Sequence, residues 1–193
     1  MHRLIDLIHV GATERELQAE LKADLSVIAQ SCVHPAIKDE YIAFSEFPVG
    51  TGFVDFVVFT DRSRMDVVLF EIKGADFEFL NADGATSRQI DRAAEQIRDR
   101  FDDIERNYEP FRREAYALRK AVEAGETRYN SLLGPKGYLN VDPEKDIDVW
   151  GIIIGGRTRE DYAESRARHK LEKYTNRVRF ESWDSWLRKY GGV

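Results

Sequence analysis

The chain is short of residues that staple or ligate. Its 193 residues include one cysteine, Cys32. With no second thiol it has no internal disulfide, which fits a reducing compartment. Four histidines, His2, His9, His34 and His169, are scattered, and no Cys/His spacing matches a zinc site. Nothing approaches the ~18 consecutive apolar residues of a membrane span. The N-terminus lacks the basic segment and apolar stretch of a secretory leader. A cytoplasmic protein without membrane association is expected. Positive charge is not in excess either, with 29 Lys and Arg against 35 Asp and Glu, a net charge of −6. That argues against non-specific DNA binding by the whole protein but leaves room for a local basic groove. There is no internal repeat, low-complexity tract or clear linker, and the length suits one domain over residues 1–193.

What is present is an ordinary core composition, 42% hydrophobic with eleven Phe. Of the 29 cations, 20 are arginine, whose planar fork suits phosphate and surface ion pairs alike. Thr13-Glu14-Arg15-Glu16 reads as a capping box opening a helix, followed by Leu17, Leu21, Leu25 and Ile28 at helical spacing. Tyr41–Phe47 reads as a first strand and Pro48–Gly52 as a turn. Phe53–Phe59 and Asp66–Lys73 are strongly apolar and joined by a short polar loop, which predicts an antiparallel hairpin. Thr86-Ser87-Arg88-Gln89 is a second capping box, before a long helix that Pro110 is expected to break. An arginine-rich helix over Phe111–Ala124 and a loop with Pro135 and Pro143 follow, giving a helical and loop insertion at about 110–146. Ile147–Ile154 reads as a strand buried on both faces. A charged helix over Arg159–Tyr174, a short strand over Arg177–Glu181 and a closing helix over Trp183–Tyr190 complete the chain.

Chemistry concentrates where charge interrupts apolar strands: Asp55 in one, Glu71 and Lys73 at the end of the next. Charge in such a place is costly unless paired or bound to a metal. Alternation along a strand puts Glu71 and Lys73 on one face, and a register pairing odd with odd positions brings Asp55 to them. Hydrolysis of a phosphodiester needs a positioned water and charge stabilisation. Carboxylate-held Mg²⁺ (or Mn²⁺) supplies both. Asp55, Glu71 and the backbone carbonyl of Ile72 are the candidate ligands, and Lys73 the candidate for orienting water and stabilising the phosphate. The competing reading is a structural acid–lysine pair. By helical phase Glu14 falls within the apolar stripe, as an outer ligand or as an acid favoring the helix N-terminus, whereas Glu16 is a cap. Gln96 sits beside the stripe of the long helix, either as a helper for water or phosphate or as a surface glutamine. Asp76, Glu78 and Asp83 lie in an irregular polar stretch and rank lower. Arg88, Arg92 and Arg157 are candidate backbone contacts for nucleic acid.

These residues resemble the PD-(D/E)XK nuclease superfamily, through Asp55 followed by Glu71-Ile72-Lys73, after a helix bearing Glu14 and before one bearing Gln96. The proline usual before the first Asp is replaced by Val54. Within the superfamily the chain is similar to the nuclease domain of Shedu anti-phage defence proteins. The segments that carry this are Glu14–Gln18, Val54–Val57, Leu69–Lys73, Ala93–Ile97, Ile152–Arg157 and Phe180–Leu187. The resemblance implies an α/β (α+β) fold with a restriction-endonuclease-like core, a mixed β-sheet flanked by helices in the order αβββαβ. It implies a metal-dependent DNA endonuclease acting on invading DNA, oligomeric, with a defence-system partner protein as a possible addition. The alternatives are a catalytically inactive nuclease-like module that binds nucleic acid or protein, and a subunit of a larger restriction or defence complex.

Overall fold

The computed structural model describes residues 1–191. The apolar run from Tyr41 onwards becomes three consecutive strands, β1 (Tyr41–Val49), β2 (Gly52–Thr60) and β3 (Asp66–Ile72). They join β4 (Leu132–Leu133), β5 (Asp148–Ile154) and β6 (Val178–Glu181) in an open six-stranded mixed sheet of order β4-β1-β2-β3-β5-β6. The β1–β2 and β1–β4 pairs are antiparallel and β5–β6 is parallel. Seven helices are found among the described residues: α1 (His2–His9), α2 (Glu14–Ala23), α3 (Ser26–Gln30), α4 (Arg88–Arg106), α5 (Tyr108–Glu123), α6 (Asp161–Tyr174) and α7 (Trp183–Tyr190), with a 3₁₀ turn at Pro35–Ile37. The fold is mixed α/β. No helix among the described residues is long and apolar enough to cross a membrane.

The chain divides into two compact units. One comprises residues 1–23, 70–97 and 151–193, the other 24–69 and 98–150. In the first, Leu4, Ile8, Leu17, Leu21, Phe70, Phe79, Phe180, Trp183 and Trp186 are buried, and the two tryptophan rings meet edge-on at 5.7 Å. In the second, Phe44 packs edge-on against Phe59 at 4.9 Å and Phe47 against Tyr129 at 5.3 Å. Such aromatic pairs are worth about 1 kcal/mol beyond their buried area.

Several elements depart from the sequence pattern for local reasons. Helix α1 was not foreseen. It is two turns long, with only Leu4 and Ile8 buried, too short for a periodic signal. It ends in a Schellman turn, where Ala12 N–H donates to Leu7 O (2.9 Å) and Gly11 N–H to Ile8 O (3.1 Å). Gly11 takes the left-handed φ of 71° that this motif requires. The expected stripe Leu17–Ile28 spans two helices, because Asp24 Oδ1 accepts from Ser26 N–H and Oγ–H and interrupts the helix there. The predicted turn at Pro48–Gly52 shrinks to Gly50 and Thr51, since Val49 pairs with Gly52. Pro48 sits in β1 opposite Phe53. Strand β4 reaches only Ile42 and Ala43, so the missing N–H of Pro48 leaves no gap in that ladder.

Pro110 does not break the long helix. The break falls at Asn107 (φ −125°), and Pro110 occupies the first turn of α5, where its absent N–H has no partner to lose. The second capping box does not form. Helix α4 starts at Arg88, the Ser87 hydroxyl is buried without a partner, and the Thr86 hydroxyl donates to Asp91 at 2.5 Å. The segment at 110–146 holds the expected helix, as α5, and in its expected loop also the edge strand β4. Gly134, just after β4, allows close approach of the chain: a Cβ there would lie 2.6 Å from Asp39 O. Strand β5 is not buried throughout, as Trp150 is exposed.

Asp66, at the start of β3, is the most perturbed carboxyl with a defined value. Burial pushes it from 3.8 up to about 6, with Asp61 and Asp148 adding repulsion against a smaller opposing pull from Arg64 and a Trp150 hydrogen bond. The folded protein therefore binds this proton more tightly than the unfolded chain. Stability contributed by Asp66 rises as pH falls from about 6 towards 3.8, and above about 6 the carboxylate imposes its full penalty. Asp66→Asn is expected to raise the melting temperature at pH 7–8 and to flatten its pH dependence between 3.8 and about 6. Calorimetry across that range checks this, and an unchanged pH profile would contradict it.

Candidate active site at the end of strand β3

The Schellman turn that ends α1 delivers the start of α2 to the end of β3. Ala75 N–H donates to Ala12 O (2.8 Å), and a Cβ on Gly74 would lie 3.1 Å from Glu14 N. Thr13 closes the helix start with Glu16 as expected: Glu16 Oε2 accepts from Thr13 N–H at 2.9 Å and from its hydroxyl at 2.6 Å. These hydrogen bonds hold the Glu16 carboxyl below its usual range. Glu16 is thereby committed to the cap, and Glu14, half-buried, faces β3.

Glu71 and Lys73 are 5% and 8% exposed. The Lys73 ammonium donates to Glu71 Oε1 at 2.7 Å and lies 3.5 Å from Glu14 Oε1. Gln18, one turn after Glu14, donates to the same Glu14 oxygen at 3.3 Å. The lysine backbone is held on both sides, its N–H donating to Ile154 O at 2.8 Å and its carbonyl accepting from Trp183 Nε1 at 2.9 Å. Gly155 makes room beside it, since a Cβ there would come 2.5 Å from Lys73 Cβ. Position 73 is thus built from β3, the end of β5 and the first residue of α7. Ile72 is fully buried.

Glu14, Glu71 and Lys73 meet in one unit. The other expected residues are carried by other elements. Gln96, Arg88 and Arg92 are on α4 and exposed, as is Gln89. Asp55 is half-buried on β2 in the second unit, where it lines a shallow cleft with Glu46, Phe53 and Val54. Glu46 holds a left-handed φ of 52°, between the paired positions Ser45–Phe56 and Phe47–Val54. Arg157 has a structural occupation. It grips Asp184 with two nitrogens (3.0 and 2.9 Å) and donates to Ile8 O at 2.6 Å. Burial pushes the Asp184 carboxyl up, but the Arg157 hydrogen bond and the Thr158 N–H outweigh it, leaving it below the usual carboxylate range. Among the lower-ranked acids, Glu78 pairs with Arg159 at 3.5 Å and Asp83 accepts from Ala85 N–H at 3.0 Å. Sequence reading missed Gln18, Gly155 and Trp183. Only Gln18 left a signal, four residues after Glu14 on the same helix face.

The candidate donors of the first unit, Glu14, Glu71 and the Ile72 carbonyl, are all oxygen, which suits Mg²⁺ or Mn²⁺. Among the described residues no three His, Cys, Asp or Glu side chains converge as a cage. Mg²⁺ does not demand one, since it keeps several waters and uses one or two carboxylates together with substrate phosphate. The residues therefore fit the ion by chemistry.

The chain is thus a mixed α/β protein with a buried acid–lysine pair at a strand end. The family model described as Shedu protein SduA, C-terminal, matches residues 11–187, and the chain belongs to that family. No curated protein matches it.

Removing one partner of a buried pair strands the other charge, at about 3–5 kcal/mol. Glu71→Ala and Lys73→Met are each expected to lower stability in urea by about 3 kcal/mol. The double variant should lose clearly less than the sum. Additive losses would show that the two groups are not coupled.

Proposed function

We propose that the chain is a metal-dependent DNA endonuclease of the restriction-endonuclease-like, PD-(D/E)XK type, working in defence against phage or other foreign DNA. The observation that carries this is the buried Glu71–Lys73 pair with Glu14 beside it, inside a chain whose family match spans residues 11–187. Family membership supports the anti-phage role.

Glu71 and Asp55 would hold Mg²⁺ or Mn²⁺, with the Ile72 carbonyl as a further ligand and Glu14 as an outer one. Asp55 is assigned by residue type and strand position. The ion, when bound, supplies Lewis acidity and an activated water. The chain's own groups do the positioning. Lys73 has three N–H donors, one of them on Glu71 and the ammonium also facing Glu14 at 3.5 Å, and this ammonium would orient the attacking water and stabilise the phosphate. Its fixed backbone restricts where that ammonium points, so little reorganisation accompanies charge development on the phosphate. Gln96, exposed on α4, offers an amide that can donate to phosphate or accept from water. Arg88 and Arg92 on the same helix would contact the strand backbone and position it without reading its sequence. The water oxygen bonds to phosphorus and releases a proton to solvent, the P–O bond to the leaving oxygen breaks, and that oxygen takes up a proton from solvent.

A second reading, an interaction module without catalysis, is favoured by one observation: the charge of Glu71 is already met within the chain by Lys73. The two separate cleanly. The purified protein is expected to cut DNA with Mg²⁺ or Mn²⁺, to stop with chelator, and to lose at least about a hundredfold of its rate in Lys73→Ala and in Glu71→Ala. Asp55→Ala should match them. Full activity in Lys73→Ala and Glu71→Ala would sink the site assignment. Absence of divalent-ion binding by calorimetry would favour the module.

A further inference from the structure

Helix α6 carries a strongly basic outer face that the proposed site does not use. At about 100° per residue, Tyr162, Arg166, His169, Lys170 and Lys173 fall within about 100° of arc, with Tyr174 at its edge. Arg166, His169, Lys170 and Lys173 are exposed, and Tyr162 and Tyr174 are 78% and 75% exposed. In a protein of net charge −6 such a stripe is unusual chiefly because its acids are occupied elsewhere. Glu160 caps the helix, accepting from Tyr162 N–H and Ala163 N–H. Asp161 pairs with Arg188 at 2.8 Å. Glu164, 2% exposed, turns inward to the Ser182 hydroxyl (2.7 Å) and Arg168 (3.2 Å). Glu172 accepts from Phe180 N–H at 3.0 Å. Among the described residues no carboxylate pairs with Arg166, Lys170 or Lys173. Arg168, by contrast, is consumed by Glu164 and Glu181.

We propose that the outer face of α6 is a track for a nucleic-acid strand, with Arg166, Lys170 and Lys173 on its phosphates and Tyr162 and Tyr174 as stacking platforms for its bases. The three cations span about 10 Å along the helix, enough to contact successive phosphates of one strand. The tyrosines stand about 18 Å apart, one beyond each end of the basic run. Charge alone serves any phosphate backbone, whereas exposed aromatic faces reward unpaired bases. The occupant favoured is therefore a single strand. This rests on the nuclease reading, because the track belongs to the same compact unit as Glu71 and Lys73.

The test is fluorescence anisotropy with a labelled DNA single strand and its matching duplex, in chelator, over a salt series. For the unaltered protein the single strand should bind more tightly than the duplex. Arg166→Ser/Lys170→Ser/Lys173→Ser is expected to weaken single-strand binding by about tenfold or more and to reduce the slope of log affinity against log salt by about 2. Tyr162→Ser/Tyr174→Ser should weaken the single strand and leave the duplex nearly unchanged. All five positions are exposed, so far-UV circular dichroism and melting temperature should match the unaltered protein. An unchanged slope in the triple variant overturns the track, as does absence of DNA binding by the unaltered protein. Cleavage keeps the outcomes apart, since an unchanged slope in a triple variant that still cuts with Mg²⁺ or Mn²⁺ overturns the track and leaves the nuclease reading standing. If the triple variant binds weakly while the unaltered protein never cuts with Mg²⁺ or Mn²⁺, the track stands and the nuclease reading falls.

Discussion

The ion pair between Glu71 and Lys73 is the constraint around which its surroundings are built. Two residues less than a tenth exposed place opposite charges where water screens them little. Such a pair is tolerable only with good geometry and satisfied neighbours. The chain supplies both through residues far apart in sequence. Ile154 and Trp183 fix the lysine backbone, Gly155 leaves the space its side chain leaves by, and Glu14 offers a second carboxylate. Even the short α1 serves this arrangement, because its Schellman turn sets where α2 begins relative to the end of β3.

A second buried charge cluster organises the C-terminal part of the same unit. Glu181, fully buried, meets Arg168 and Lys189 and accepts from the Ser185 hydroxyl at 2.6 Å. Glu164 meets Arg168 and Ser182. Arg157 ties Asp184 to the end of α1. These contacts join α6, β6 and α7 through charge rather than apolar packing alone. They also sort the charges of α6, drawing its acids inward or to its ends and leaving cations outside. One set of interactions thus has a structural role on one face and creates an electrostatic surface on the other.

Much of this was legible in the sequence. Strong period-2 runs of Val and Phe gave β2 and β3 to within a residue or two, and α7 appears at its expected bounds, Trp183–Tyr190. The Thr13–Glu16 box was readable because both partners are local. Helical phase separated Glu14 from Glu16 correctly in space, for the same reason. Errors arose where local signals compete with packing. Pro110 marks a helix start as readily as a helix end. Thr86 and Ser87 suit a cap by composition, yet Thr86 finds Asp91 instead. Leu132 and Leu133 form an edge strand only because β1 offers them a partner, and no periodicity of two residues announces that.

By itself the sequence determined every strand but β4, most helices, the acid–lysine pair at the end of β3 and the family of the chain. These rest on alternation, helical phase and side-chain chemistry within a few residues. Only the tertiary structure decided which charges meet. It assigned Arg157 to Asp184, made Trp183 and Gly155 the frame of Lys73, and sent the acids of α6 away from its cations. Each of those partnerships joins different elements or depends on which helix face is buried. Coulombic and hydrogen-bonding energy falls off over a few ångströms of space, and spacing along the chain does not reveal that distance.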